Sequence, residues 1–146
     1  MSISGFSVFS TAQDLPASWD KACDDNPFLC RSVLIILEQV NPTGQRYYLL
    51  EKREEASLFM TYQHRLDIFT YGPGSLRLPV TILGVPCSVS WPGLQIQEQD
   101  REAFQQALQE IPGAVLILND KAPPPLFIKL CSGAHPAQLR AGYPRA

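Results

Sequence analysis

Cys87, His64 and Asp67 are the residues whose types would supply a thiol nucleophile, a base and an orienting carboxylate. Cys87 sits in GVPCSVSWPGL, residues 84 to 94, directly after the apolar run LRLPVTIL. A cysteine enzyme needs a thiolate, a base within hydrogen-bond reach and a group that holds the base. His64 and Asp67 are three apart in a stretch of period two, so as strand residues they point to opposite faces. No helix start directly follows Cys87 to lower its pKa. The competing reading is a small buried thiol in a bend flanked by Pro86 and Pro92.

Other residues invite weaker chemistry. Glu38 lies near the end of an apolar helical stretch. A carboxylate near a helix C-terminus is unfavourable by roughly 0.3–1 kcal/mol, which hints at a purpose; pairing with Arg46 is the plain alternative. Lys52, Arg65 and Arg77 would suit an anionic ligand, and also suit solvated strand edges. Tyr47, Tyr48, Phe59, Tyr62, Phe69, Tyr71 and Trp91 crowd one region. They read either as an aromatic-lined pocket or as sheet packing, which aromatic residues favour anyway. If GVPCSVSWPGL forms the wall of a groove, Ser88, Ser90 and Trp91, with Tyr71, are the ligand-facing candidates ahead of Cys87.

Four cysteines, Cys23, Cys30, Cys87 and Cys131, would allow two disulfides. The start MSISGFSVFS lacks the basic segment and apolar core of a secretory signal, so a cytoplasmic address with reduced thiols is expected. No CxxC pair occurs, and no metal site is predicted. No stretch approaches the roughly 18 to 20 apolar residues of a membrane span. A net charge of -2 gives no basic field for nucleic acid. With 45% hydrophobic and 18% charged residues, the 146-residue chain suits one domain with a core.

The elements that must position these residues follow from periodicity. GFSVF, residues 5 to 9, alternates as a strand. Asp14 and Pro16 read as the cap and first turn of a short helix with Leu15, Trp19, Ala22 and Cys23 inward. Asn26 and Pro27 read as the start of a second helix. Phe28, Leu29, Val33, Ile36, Leu37 and Val40 make its apolar face, widened by Leu34 and Ile35. Asn41-Pro42-Thr43-Gly44 stops it.

From residue 45 the period becomes two. QRYYLLEK, ASLFMTYQH, RLDIFTYG and LRLPVTILG are four strand candidates in an antiparallel meander, the first two joined by KREE and the last two by Gly72-Pro73-Gly74. Pro79 inside the last predicts an edge, a bulge or a bend. LQIQ suggests a short strand. EQDREAFQQALQEIP is an amphipathic helix with Phe104, Ala107, Leu108 and Ile111 on one face. AVLILND reads as a buried strand and PPPLFIKL as a further one. The expected class is α+β, or mixed α/β, with an antiparallel-rich central sheet flanked by helices.

This order of elements resembles the GNAT acyltransferase superfamily. LPASWDKACDDNPFLCRSVLIILEQVNPTGQRYYLLEK is similar to the opening lobe of Fem-type bacterial proteins, through Trp19, Pro27-Phe28 and Leu37-Glu38. The resemblance covers about residues 5 to 120. It implies a GNAT-like lobe at residues 1–131, with residues 132–146 an irregular tail. It further implies acyltransferase chemistry with an acyl-CoA or aminoacyl donor in a complete protein, with Glu38 the candidate general base. Members bind the cofactor pyrophosphate on a glycine-rich turn that opens a helix. The comparable GLQIQEQDREAF has one glycine, Gly93, and places Asp100 and Glu102 at the helix start, where they repel a diphosphate. The expectation is therefore a lobe that binds no cofactor alone and is completed by a second lobe or a homo-oligomer. The alternative is a non-catalytic module that binds a small ligand or a protein.

Overall fold

The computed structural model describes residues 1–23, 26–67, 77–86, 93–113, 115–117 and 128–129. All eight described strands belong to one sheet. The chain opens with a hairpin of β1 (Ser2–Ile3) and β2 (Phe6–Phe9). Its loop is Ser4-Gly5, with φ 45° and 87°. Positive φ at both loop residues is what a type I′ turn requires and what matches strand twist. Serine tolerates this region less well than glycine, and hydrophobic periodicity carries no sign of the turn.

Two helices follow, α1 (Ala17–Ala22) and α2 (Arg31–Val40). Asp14 is not the cap of α1. It closes a 3-10 turn over Ala12–Asp14 and accepts from the Thr11 hydroxyl at 2.7 Å. Asn26 does cap, but it caps a 3-10 turn over Pro27–Leu29, its side chain accepting from the Phe28 amide. Cys30 then starts α2. The predicted apolar face of α2 is rotated. Leu34 is fully buried, whereas Ile36 and Val40 are exposed at 58% and 77%. Eight apolar positions in one short stretch exceed what one helix face can bury, so the hydrophobic pattern left the rotation open.

The sheet continues with β3 (Arg46–Glu51), β4 (Ala56–Asp67) and β5 (Arg77–Leu83), each antiparallel to the one before. Lys52 to Glu55 form the predicted charged turn, closed by the Lys52 amide on the Glu55 carbonyl. The predicted second strand does not end at His64, and β4 continues through residues 65–67, the described start of the predicted third. β4 runs unbroken through His64 and Arg65, because nothing there has turn chemistry and its backbone pairs with β5 from Thr61↔Leu83 to Asp67↔Arg77.

A short β6 (Leu94–Gln95) rejoins β4 at Leu58 and Phe59. Then α3 (Arg101–Glu110) crosses over, and β7 (Val115–Ile117) pairs parallel to β5. A parallel partner demands such a crossover, and α3 supplies it. β8 (Ile128–Lys129) pairs antiparallel to β7. Pro79 is explained by this register. β7 reaches only Thr81–Leu83, so Pro79 lies on β5 beyond that pairing and opposite Arg65. The alternation of hydrogen bonds turns its missing N–H away from β4.

Helices cover both faces. On one, Tyr47, Leu49, Leu58 and Met60 pack against Trp19 of α1 and Leu34 of α2. On the other, Phe6, Tyr48, Phe59 and Leu83 pack against Ala107, with Phe104 and Leu108 of α3 beside them. The mixed α+β class with helices flanking an antiparallel-rich sheet is therefore as expected.

Candidate functional site

The entry to α3 lies against the β3–β4 hairpin, and a helix N-terminus is a position where anions are bound. In this chain a carboxylate already lies there. Asp100, the residue before α3, is 1% exposed. It accepts from the Ser57 hydroxyl at 2.6 Å and pairs with the Lys52 ammonium. Ser57 is itself fully buried, and its oxygen accepts from the Gln97 amide at 2.9 Å. Burial alone would raise the Asp100 pKa. The bonds from Lys52 and Ser57 outweigh that and hold it below its ordinary value.

Three parts of the fold meet in that cluster. Lys52 comes from the charged turn after β3, Ser57 from an inward position of β4 and Asp100 from the entry to α3. Lys52 and Asp100 were visible as charges. Ser57 carried a subtler sign, a hydroxyl at an inward position in the apolar run ASLFM. A buried hydroxyl needs a partner, and Asp100 is that partner.

Glu38 stands on α2 facing β3. Its Oε1 accepts from the Ala12 amide at 2.9 Å and from the Tyr47 hydroxyl at 2.8 Å. Arg46 instead donates to the Gln45 carbonyl at 3.3 Å. Tyr47 is buried edge-on against Trp19, with centroids 5.8 Å apart. Burial first, then the Glu38 bond and charge, push the Tyr47 pKa up, so it stays a neutral donor. Trp19 donates from Nε1 to the Leu29 carbonyl at 2.6 Å. The residues that carry the sequence resemblance thus join α1, the Pro27 turn, α2 and β3.

The aromatic residues pack among themselves. Tyr48 stacks on Phe59 at 4.3 Å, and Phe59 meets Phe6 and Phe104 edge-on at 5.2 and 5.1 Å. For Tyr47, Tyr48 and Phe59 the packing reading holds. An open hollow of about 420 Å³ lies elsewhere, lined by Pro42, Thr43, Gly44, Gln63, His64, Arg65 and Pro79. Gln63 is fixed there by its amide on the Thr43 carbonyl at 2.8 Å and by its side chain on the Thr81 hydroxyl at 3.0 Å. His64 and Asp67 occupy one continuous strand, three residues apart, and so point to opposite faces.

Phe69, Tyr71, Cys87, Ser88, Ser90, Trp91 and Cys131 lie outside the described residues, as does the segment 132–146. What is described is the frame of GVPCSVSWPGL. The Gly84 amide donates to the Met60 carbonyl at 3.2 Å, and the Met60 amide donates to the Gly93 carbonyl at 2.9 Å. One residue of β4 therefore receives both ends of the stretch. No helix among the described residues is long and apolar enough to cross a membrane. No family profile, curated protein or solved structure matches the chain.

Proposed function

We propose that the chain is a GNAT-like acyltransferase lobe that leaves the acyl-CoA pyrophosphate to a second lobe. The order of elements and the strand–helix–strand crossover with parallel β5 and β7 support the likeness. The observation that carries the second half is the internal carboxylate at α3. A diphosphate would enter beside a charge that is already buried, and would compete with it for Lys52 and Ser57. Like charges in a poorly solvated position repel strongly. Titration with acetyl-CoA, followed by thermal unfolding, tests this. No shift in the unfolding midpoint is expected; a saturable stabilisation would show a cofactor site in this lobe and overturn the reading.

A second reading, a non-catalytic interaction module, is favoured by α2. Ile36 and Val40 are one helical turn apart and both exposed. In this reading the outer side of α2 meets a second copy of the chain.

A further inference from the structure

Cys23 closes α1 and Cys30 opens α2, and their Sγ atoms lie 3.7 Å apart. Other contacts hold the two ends of this junction in place. The Asn26 amide donates to the Cys23 carbonyl at 2.8 Å, and Trp19 donates to the Leu29 carbonyl at 2.6 Å. The Arg31 amide donates to Asp20 at 2.9 Å, and the Arg31 guanidinium to the Leu15 carbonyl at 2.9 Å. A disulfide has an S–S bond of about 2.05 Å, so two thiols already in contact need a further approach of under about 2 Å.

We propose that Cys23 and Cys30 form a reversible redox pair, oxidised to an intramolecular disulfide by exchange with a low-molecular-weight disulfide of the glutathione class. Half-buried Cys30 is the accessible member, and Cys23 is fully buried. The Cys30 thiolate attacks one sulfur of the donor, forming a mixed disulfide and releasing the other sulfur as a thiolate. Cys23 then gives up its proton and attacks the Cys30 sulfur. The second donor sulfur leaves. The two protein thiol protons end on the two released donor thiols, so the donor is reduced as the protein pair is oxidised. Burial first, then the bond and charge of Cys30, push the Cys23 pKa up to about 12. Cys23 is therefore the resolving thiol, and the second step is the slow one. The bridge ties the end of α1 to the start of α2.

Glutathione redox buffers, alkylation of the remaining thiols and peptide mass mapping test the pair. A full-length chain carrying Cys87→Ser and Cys131→Ser removes competing thiols; wild-type chain mapped the same way serves if that variant does not fold. In oxidising buffer both Cys23 and Cys30 should resist alkylation, and cleavage before Asp25, which separates the two cysteines, should yield one cross-linked peptide pair without retained glutathione. The thermal midpoint should rise, and reductant should reverse both changes. Adding Cys23→Ser should trap glutathione on Cys30. The proposal is overturned if both thiols stay alkylatable in oxidising buffer, or if glutathione remains on Cys30 while Cys23 is present.

Discussion

Gly93 owes its identity to a close approach. A Cβ built there would lie 2.4 Å from the Gly84 Cα, 2.5 Å from its carbonyl carbon and 2.9 Å from its nitrogen. All three are backbone atoms, held by bonds to Met60, so no side-chain rotation relieves the clash. Gly113 is a useful contrast. Its φ is +85°, but a Cβ there meets nothing within 4 Å. Gly113→Ala should cost about 1 kcal/mol, through backbone strain alone. Gly93→Ala should cost more, about 1–3 kcal/mol or above, as overpacking against fixed atoms does. Urea unfolding of both variants checks the order. Equal midpoints would mean that the Gly84–Gly93 approach is not a tight constraint. In the sequence, Gly84 and Gly93 read as flanks of a bend; that Gly93 faces backbone depends on β4, far away in the chain.

At the scale of elements, α3 is docked by a charge as well as by its apolar face. The Lys52 side chain is half-exposed and Asp100 is not, so water weakens the pair from one side only. The folded state holds the Asp100 pKa below its ordinary 3.8. A lowered carboxylate pKa contributes stability that is complete above the unfolded value and disappears as pH falls through the folded one. Wild-type chain should therefore be flat in stability near neutrality and lose this contribution on acidification below about pH 4. Lys52→Met should reverse the sign. Desolvation would then dominate, the Asp100 pKa would rise, and this site would destabilise the fold increasingly as pH climbs through the carboxylate range. At neutral pH the substitution should cost on the order of 1–3 kcal/mol, the penalty for a buried acceptor that loses its partner. Denaturation midpoints measured from pH 3 to pH 7 decide it; parallel profiles for the two proteins would remove Lys52 from the account.

The same element shows how far a sequence reaches. The period of 3.6 residues placed α3 and its inward Phe104, Ala107 and Leu108 correctly. Asp100 at its start was legible as a charge that disfavours diphosphate. Its bond to Ser57 was not, because that contact joins residues 43 apart in sequence and depends on the register of β4. Likewise, the polar stretch at Gln63, His64 and Arg65 looked like a boundary. Backbone pairing with β5, not side-chain burial, carries the strand through it. Glu38 stands out in the sequence for its awkward position, but its two donors come from residues 9 and 26 positions away, and only the fold brings both to one oxygen.

For the molecule as a whole, helices pack on both faces of the central sheet, and the apolar exposure on a helix lies on the outer side of α2. Ile36 and Val40, with half-buried Val33 one turn before, form a narrow stripe. Stable interfaces bury roughly 1,200–2,000 Å² in total, and three side chains supply far less than that. A contact centred on this stripe must be weak, or must recruit polar surface around it. Light scattering and sedimentation across protein concentration therefore give a graded expectation. The chain should be monomeric at low micromolar concentration and associate reversibly as concentration rises toward millimolar, the range of affinity that small interfaces reach. Ile36→Glu and Val40→Glu place charge on the solvent side of α2, where the fold tolerates it, and should abolish that association while leaving the unfolding midpoint nearly unchanged. If the wild type stays monomeric throughout, self-association on α2 is wrong. If it associates but the glutamate variants do so equally, the copies meet through another surface, and the exposed residues of α2 are surface apolar residues without a partner of this kind.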